Sequence, residues 1–490
     1  VGKTVSTLKH NKSLSDNRHM ITKSIVLACD QAPYAALGAV HLLHGHAYTT
    51  IHPIHVAALC HALCRVTKLS DEETHRIISA CLVSNIGMLE LQEVLHDQTD
   101  PLSQEQKDQI AAHPDEGVKI LKASGITDEA MLKIVLQHHE RANGEGYPNK
   151  LKADEISRGA KILALADCYS AMVSPRNYRE AVDASAALKQ QYQNGDLTPR
   201  ALMKVLRENA QEYDNYNLFI HLLNENELEP YLSRLENSEP NSLPLWGVPF
   251  VVKDNIDLAN IPTTAACKEF TYVPTESATV VKTLLEAGAL PVGKSNLDQF
   301  ATGLVGTRSP YGACHNSFDF KMISGGSSSG SAVSLALNLC SFSLGTDTAG
   351  SGRVPAAFNN LIGLKPSKGL LSTKGVVPAV RSQDVVSIFA LNSQDAYDVL
   401  QVSAVFDTED EFSRNKIDLT TPAWNTKPVI GVPDKASRIF AGDTLAEDNF
   451  ELAISKLRNL GFELKEVPFQ AWLDTAKLLY GGAWVAERYV

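Results

Sequence analysis

No apolar run in these 490 residues approaches the roughly 18 that a membrane-crossing helix requires. The N-terminus also lacks the hydrophobic stretch that directs secretion. The eight cysteines, at 29, 60, 64, 81, 168, 267, 314 and 340, show no CxxC pair and no framework spacing. That argues against a disulfide scaffold and suits reduced, partly buried thiols in a cytoplasmic protein. Positive charge is short as well: 45 Lys and Arg stand against 56 Asp and Glu, a net charge of -11. A nucleic-acid or anionic-membrane partner would call for a basic face, so neither is expected. What remains is ordinary for a soluble chain, with 44% apolar and 21% charged residues. Its length exceeds one core, which points to two or more domains.

Residues 1–24 are polar and basic with little periodicity and read as an arm. From 25 to about 140, apolar residues recur at three- and four-residue steps: Val56, Leu59, Cys60, Leu63 and Cys64 share a face, as do Ile77, Ile78, Cys81 and Leu82. Val118 with Leu121, and Leu132 with Val135 and Leu136, repeat the pattern, which predicts a helical bundle. Ile162 to Ala166 continues it in a helix ending near Ser174-Pro175. Beyond 181 the character changes. Asn194-Gly195-Asp196 is a turn signal, and Thr198-Pro199 opens a helix as cap and first-turn residue. Past a Ser/Asn/Pro-rich loop, short β-branched runs such as Pro249 to Val252 and Leu290 to Val292 alternate with helices such as Ala278 to Ala287. That alternation predicts an α/β domain. The expected organisation is an arm (1–24), an all-α domain (25–181) and an α/β domain (182–490).

Two small-residue loops carry the chemistry of the second domain. Gly325-Gly326-Ser327-Ser328-Ser329-Gly330-Ser331 precedes an apolar helix from Ala332 to Leu339. Gly345-Thr346-Asp347-Thr348-Ala349-Gly350-Ser351-Gly352-Arg353 follows it. Small residues ahead of a serine can turn successive N–H groups toward one point, as an oxyanion hole needs. A flexible linker is the competing reading of the first loop, but apolar segments flank both loops closely. A phosphate cradle would need a following Gly-Lys-Ser/Thr. A serine nucleophile needs a base, and neither loop contains histidine. Lys253, ending the run Gly247 to Val252, becomes a base if burial keeps it neutral.

In order, spacing and local sequence, Lys253, Ser327 and Ser351 match the Ser–cis-Ser–Lys triad, and residues from about 182 onward resemble the amidase signature family. The resemblance implies an α/β/α domain with a mixed central sheet and no cofactor. Ser351 would be the nucleophile, Ser327 (after a cis peptide bond) the relay and Lys253 the base. The N–H groups of Thr348, Ala349, Gly350 and Ser351 would form the oxyanion hole, with Asp347 and Arg353 as a structural ion pair. Asp254-Asn255-Ile256-Asp257, Ile261 to Cys267 and Asn296 to Gly303 resemble the allophanate hydrolases of that family, and Thr346 to Arg353 resembles them more than the tRNA amidotransferases. Tyr480 and Arg488, in Leu479 to Arg488, align with the substrate-holding pair. Allophanate is a small anion, and a planar guanidinium suits its carboxylate. The resemblance thus implies a small-molecule amide substrate and ammonia release in urea degradation. A homodimer and a functional link to urea carboxylase are further expectations. Family members run beyond Arg488, so an incomplete C-terminus is expected. A general amidase, or an enzyme like the transamidating subunit of glutamyl-tRNA amidotransferase, is the alternative.

In the first domain, His138-His139-Glu140-Arg141-Ala142-Asn143-Gly144-Glu145-Gly146-Tyr147-Pro148 admits two readings. Adjacent histidines can meet the negative end of a helix, or help gather a metal pair that activates water. Residues 45–181 resemble the HD-GYP family of cyclic-di-GMP phosphodiesterases, which implies His52, His113, His138, His139 and Asp167 as candidate ligands. Where that family has its His-Asp pair and a following lysine, the chain reads Ser84-Asn85-Ile86-Gly87-Met88. Serine and neutral asparagine replace an imidazole and a bridging carboxylate, so a two-metal centre is expected to fail. The expectation is an inactive, regulatory or oligomerising HD-like domain. A cyclic-di-GMP-related signalling module with an inert amidase part is the remaining alternative.

Overall fold

A computed structural model describes residues 14–31, 36, 48–98, 102–173, 184–195, 197–239, 242–415, 419 and 427–487. The helical part comprises α1 (Leu14–Gln31), α2 (Tyr48–Val66), α3 (Asp71–Cys81), α4 (Leu89–Asp97), α5 (Gln104–Ala123), α6 (Glu129–Gln137) and α7 (Arg158–Val173). Local chemistry sets several starts. Ser70 and Glu73 form a reciprocal capping box on α3, and Ser103 with Gln106 does the same on α5. Each such cap contributes about 1 kcal/mol by satisfying backbone N–H groups that the helix cannot. The expected apolar faces meet in one core, where Val56, Cys60, Cys64, Ile78, Leu121, Val135 and Leu163 are buried. Ile78 and Leu163 are wholly enclosed, and truncating either to alanine would cost about 2–5 kcal/mol.

The second part opens with α8 (Ala184–Gln193) and α9 (Pro199–Glu212), where Thr198 caps α9 as its sequence predicts. Then follow β1 (Phe219–Leu222), α10 (Glu225–Glu236), β2 (Pro249–Lys253), α11 (Thr279–Glu286), β3 (Leu290–Ser295), α12 (Ser329–Ala336) and β4 (Phe342–Thr346). After them come α13 (Arg353–Phe358), β5 (Ile362–Leu364), β6 (Val386–Ala390) and α14 (Ser393–Ser403). The remaining elements are β7 (Ile430–Pro433), α15 (Thr444–Asn459), β8 (Leu464–Val467), α16 (Gln470–Gly481) and α17 (Trp484–Glu487). The main sheet runs β1-β3-β2-β4-β6-β5. β2 is parallel to both β3 and β4, while β1 and β6 join antiparallel. The sheet is therefore mixed, with its fully buried parallel strands at the centre, as continuous Val/Phe/Leu runs require. Phe250 stacks on Phe342 across β2 and β4 at 5.2 Å.

The two cores share no residue: one ends at Ala166 and the other begins at Tyr192. All eight cysteines are free thiols. Among the described residues, no helix is long and apolar enough to cross a membrane.

Candidate active site

Lys253 is the last residue of β2, and its side chain is fully enclosed. Nζ donates to Ser327 Oγ and to Thr346 Oγ1, each at 2.7 Å. Burial drives its pKa down to about 7, against the longer-range pull of Asp298, Asp384 and Asp347. A neighbouring lysine makes the contrast. Lys294 on β3 pairs in register with Val252, so it projects from the opposite face of the sheet to Lys253. It too is buried, but Asp254 lies 3.1 Å away, near enough for charge pairing though not aligned as a hydrogen bond. Its Nζ also donates to Thr263 Oγ1 at 2.9 Å. Burial lowers the Lys294 pKa as well, with the neighbouring Asp254 carboxylate opposing that fall; among the described residues Lys253 has hydroxyl partners only.

The Ser-rich loop leads into α12. The peptide between Gly326 and Ser327 is cis. Gly326 has no substitute: a Cβ there would lie 2.2 Å from Asp298 Oδ2 and 2.6 Å from Gly306 N. Asp298 organises this corner, its carboxylate accepting from Gly306 N and Arg308 N while its own N–H donates to Ser327 O at 3.1 Å. Ser328 N–H donates to Ser351 O at 3.3 Å, tying the two loops together.

Ser351 is buried, and its hydroxyl donates to Gly303 O at 3.4 Å rather than to Ser327. Behind it, Asp347 accepts from Gly350 N at 2.7 Å, from Gly352 N and Arg353 N at 3.1 Å, and from Arg353 Nε at 2.9 Å. Lys365 Nζ adds an ion pair at 3.1 Å. Burial would raise the Asp347 carboxyl, but Arg353 and Lys365 hold it well below the usual range. The expected Asp347–Arg353 pair is therefore present, and it also takes the N–H of Gly350. Among the four N–H groups expected at an oxyanion hole, those of Thr348, Ala349 and Ser351 have no acceptor among the described residues. A cavity of about 60 Å³ opens beside Ser351, walled by Gly303, Leu304, Thr348, Ala349, Ala379, Val380 and Leu479 among others. Tyr480 falls on α16 next to Leu479, but its side chain lies outside the described residues, as does the whole of Arg488. Sequence reasoning passed over Thr346, Asp298 and Asp384; the first two stand inside the motif stretches quoted for other residues.

In the helical part, Nε2 of His113 lies 3.3 Å from that of His138, and ligand atoms of His113, His138 and His139 all lie within 4.8 Å of one another. Nδ1 of His113 and of His138 bond to Ile110 O and Val135 O, each at 2.6 Å, which frees Nε2. Burial lowers all three imidazoles, His113 to about 4, so they stand neutral, the form that ligates metals. His52 bonds Asp167 at 2.9 Å. Burial opposes ionisation of Asp167, yet His52 holds it well below the usual carboxylate range. The Gly-Tyr-Pro motif supports this cluster: Tyr147 N–H donates to His139 O at 3.1 Å and its ring stacks on His139 at 4.7 Å. A Cβ on Gly146 would lie 2.3 Å from Arg141 N. The donor set suits one transition ion. It does not suit a pair, because Ser84 Oγ donates to Cys81 O and Asn85 offers only a neutral side-chain amide where a bridging carboxylate is needed.

A mixed sheet with a buried lysine on a cis-serine loop, facing a second serine loop, defines a class. The chain belongs to the amidase family, whose model matches residues 201–490, and an HD domain model matches residues 9–197. It is similar to the urea amidolyase of Saccharomyces cerevisiae, 48% identical over 277 residues, 56% of this chain and 15% of that protein. The solved allophanate hydrolase of Kluyveromyces lactis matches with a TM-score of 0.58 and 44% identity, over 61% of this chain and 50% of that one. A glutamyl-tRNA(Gln) amidotransferase chain of Prochlorococcus marinus (strain NATL2A) is 34% identical over 304 residues, 60% of this chain and 62% of that protein. The chain thus spans half of the yeast hydrolase and a smaller part of the urea amidolyase.

Proposed function

We propose that this chain hydrolyses the terminal amide of allophanate, with Ser351 as nucleophile, Ser327 as relay and Lys253 as base. The observation carrying the reading is Lys253 Nζ, buried, without a carboxylate partner among the described residues and 2.7 Å from Ser327 Oγ. A lysine so placed exists substantially as the free amine near neutral pH. For reaction the Ser351 hydroxyl leaves Gly303 O for Ser327, a rotation about one side-chain bond. Its proton passes to Ser327 as Ser327 passes its own to Lys253, and the Ser351 oxygen bonds to the carbonyl carbon. The carbonyl electron pair moves onto oxygen, held by N–H groups of Thr348, Ala349 and Ser351. When the pair returns, the C–N bond breaks, and the proton on Lys253 travels back through Ser327 to the nitrogen, which leaves as ammonia. Water then cleaves the Ser351 ester over the same relay. Arg488 and Tyr480 would hold the substrate carboxylate.

Similarity to proteins named urea amidolyase and allophanate hydrolase supports this substrate, and a functional link to urea carboxylase, a homodimer and a cytoplasmic setting belong to the same reading. Its domain limits are 25–181 and 182–490, save that α1 (Leu14–Gln31) carries residues 14–24 of the expected arm into the helical domain, where Thr22 is buried against Ser79. The His113–His138–His139 cluster would hold a single ion, which as a Lewis acid could polarise a bound oxygen; phosphodiester hydrolysis by an ion pair is not part of the proposal. The test is ammonia release from allophanate by the chain and by its Ser351→Ala variant, and turnover by the variant would sink the assignment. One observation favours a general amidase: the described walls beside Ser351 are largely apolar and carry no cation. Faster turnover of simple neutral amides than of allophanate would select that reading.

A further inference from the structure

We propose that Asp384 is a positioning residue for the oxyanion loop, its carboxylate fixing Thr348 and the segment at Ala379 and Val380 in one register. The role rests on the reading of Ser351 as nucleophile. Asp384 precedes β6 and is buried. Its Oδ1 accepts the Thr348 hydroxyl at 2.5 Å and Val380 N–H at 3.1 Å, and Oδ2 accepts Ala379 N–H at 2.8 Å and Val380 N–H at 3.1 Å. Thr348 lines the cavity at Ser351 from the serine loop, and Ala379 and Val380 line it from a second segment. One carboxylate therefore joins the two segments.

The loop from 347 to 353 is consequently hung between two carboxylates. Asp347 holds its far end through the N–H groups of Gly350, Gly352 and Arg353. Asp384 holds its near end through the Thr348 hydroxyl, beside the N–H groups of Thr348 and Ala349 that would meet the oxyanion. Hydrogen bonds to ionised oxygen are shorter and stronger than neutral ones, and donors pay no reorganisation cost when pre-aimed. The turn carrying Asp384 is itself anchored: Glu487 on α17 accepts from Ser382 N at 2.7 Å and Ser382 Oγ at 2.6 Å, and Lys368 Nζ donates to Asp384 O at 3.1 Å. Burial raises the Asp384 carboxyl, with the Thr348 and backbone bonds opposing that rise.

The test compares Thr348→Val, Thr348→Ser, Asp384→Asn and the Thr348→Val/Asp384→Asn pair in the full chain. kcat and KM for ammonia release are measured per Ser351 titrated with a serine-directed phosphonate. Thr348→Val is expected to lower kcat by about tenfold to a hundredfold with KM within about twofold, the loss typical of a misplaced donor. Thr348→Ser keeps the hydroxyl and recovers most of that loss. The double variant is expected to be no slower than Asp384→Asn, because both changes remove one interaction. Asp410→Asn is the control: Asp410 accepts from Thr373 N and Phe412 N in a neighbouring loop, and this change is expected to lower Tm without lowering kcat. Wild-type kcat in Thr348→Val, or losses that multiply in the double variant, would overturn the role. If Asp384→Asn fails to fold, the Thr348 variants decide alone. A wild-type chain without Ser351-dependent hydrolysis overturns the function and this role together, whereas an active one with an indifferent Thr348 overturns only the role.

Discussion

At the end of β2 a lysine is enclosed with, among the described residues, hydroxyl partners only, while in the helical part the buried carboxylate of Asp167 is matched with His52 at 2.9 Å. The first arrangement leaves an acid–base group without a carboxylate partner among the described residues, with its pKa drawn down to about 7. In the second, neutral imidazoles face one another and the single anion has a partner. Burial acts on both clusters, so burial alone does not separate them. What separates them is whether a neighbour neutralises the charge. Lys294 offers a graded case inside the amidase part: burial lowers its pKa too, and Asp254 at 3.1 Å opposes that fall at close range. Proton transfer is the role proposed for the Lys253 site, and ion binding the one proposed for the histidine cluster.

The largest effects should come from breaking the unmatched site. Ser351→Ala is expected to lower turnover by about 10⁶-fold, measured as ammonia release, as loss of a triad nucleophile does. Lys253→Met should fall in the same range, since serine without a base is a weak nucleophile. With Lys253 present, kcat/KM should rise with pH through about 7 and level off above it, because only the free amine accepts a proton. The sign for stability is the same. Between about 7 and about 10.4 the unfolded chain binds a proton that the folded one does not, so stability contributed by this residue increases with pH across that window. A flat pH profile would mean that Lys253 is charged throughout and that the contrast with Lys294 is false.

A smaller effect should follow from Arg488→Ala. A charge-assisted bond to a carboxylate contributes about 1.5–3 kcal/mol, so KM for allophanate should rise by about tenfold to a hundredfold while kcat changes little. Turnover of a neutral amide should be untouched. Equal losses on both substrates would show that Arg488 supports the fold of the site and does not read the substrate's charge.

The sheet, the helical bundle and the residues around Ser351 were legible because each depends on local pattern: β-branched runs, three- and four-residue spacing, and glycines where Gly326 meets Asp298. Less legible were the groups that act from another segment. Asp384 lies 36 residues from Thr348 and Asp298 meets Gly306 across a loop, so neither shows a spacing signal. Nor could sequence foresee that Gly350 N–H donates to Asp347, because four small residues in a row look alike until the loop is folded. In the helical part the departure at Ser84-Asn85 was legible from residue identity alone, since no packing can make an amide into a bridging carboxylate.

That last point yields the prediction with the smallest effect on amide hydrolysis. The three-histidine cluster is separated from the Lys253 site by two independent cores, so His138→Ala and prolonged chelation should leave ammonia release within about twofold of wild type. Metal content should nevertheless respond. The chain as it stands should hold about one transition ion, lost in His138→Ala, because three neutral imidazoles form one open site. Ser84→His/Asn85→Asp restores an imidazole and a carboxylate beside His113, and should raise the content toward two per chain by elemental analysis. Unchanged stoichiometry in that variant would show that the two missing ligands are not what holds the site to one ion. A change in ammonia release on loading the second ion would instead show that the helical cluster and the serine site are energetically coupled, despite cores that share no residue.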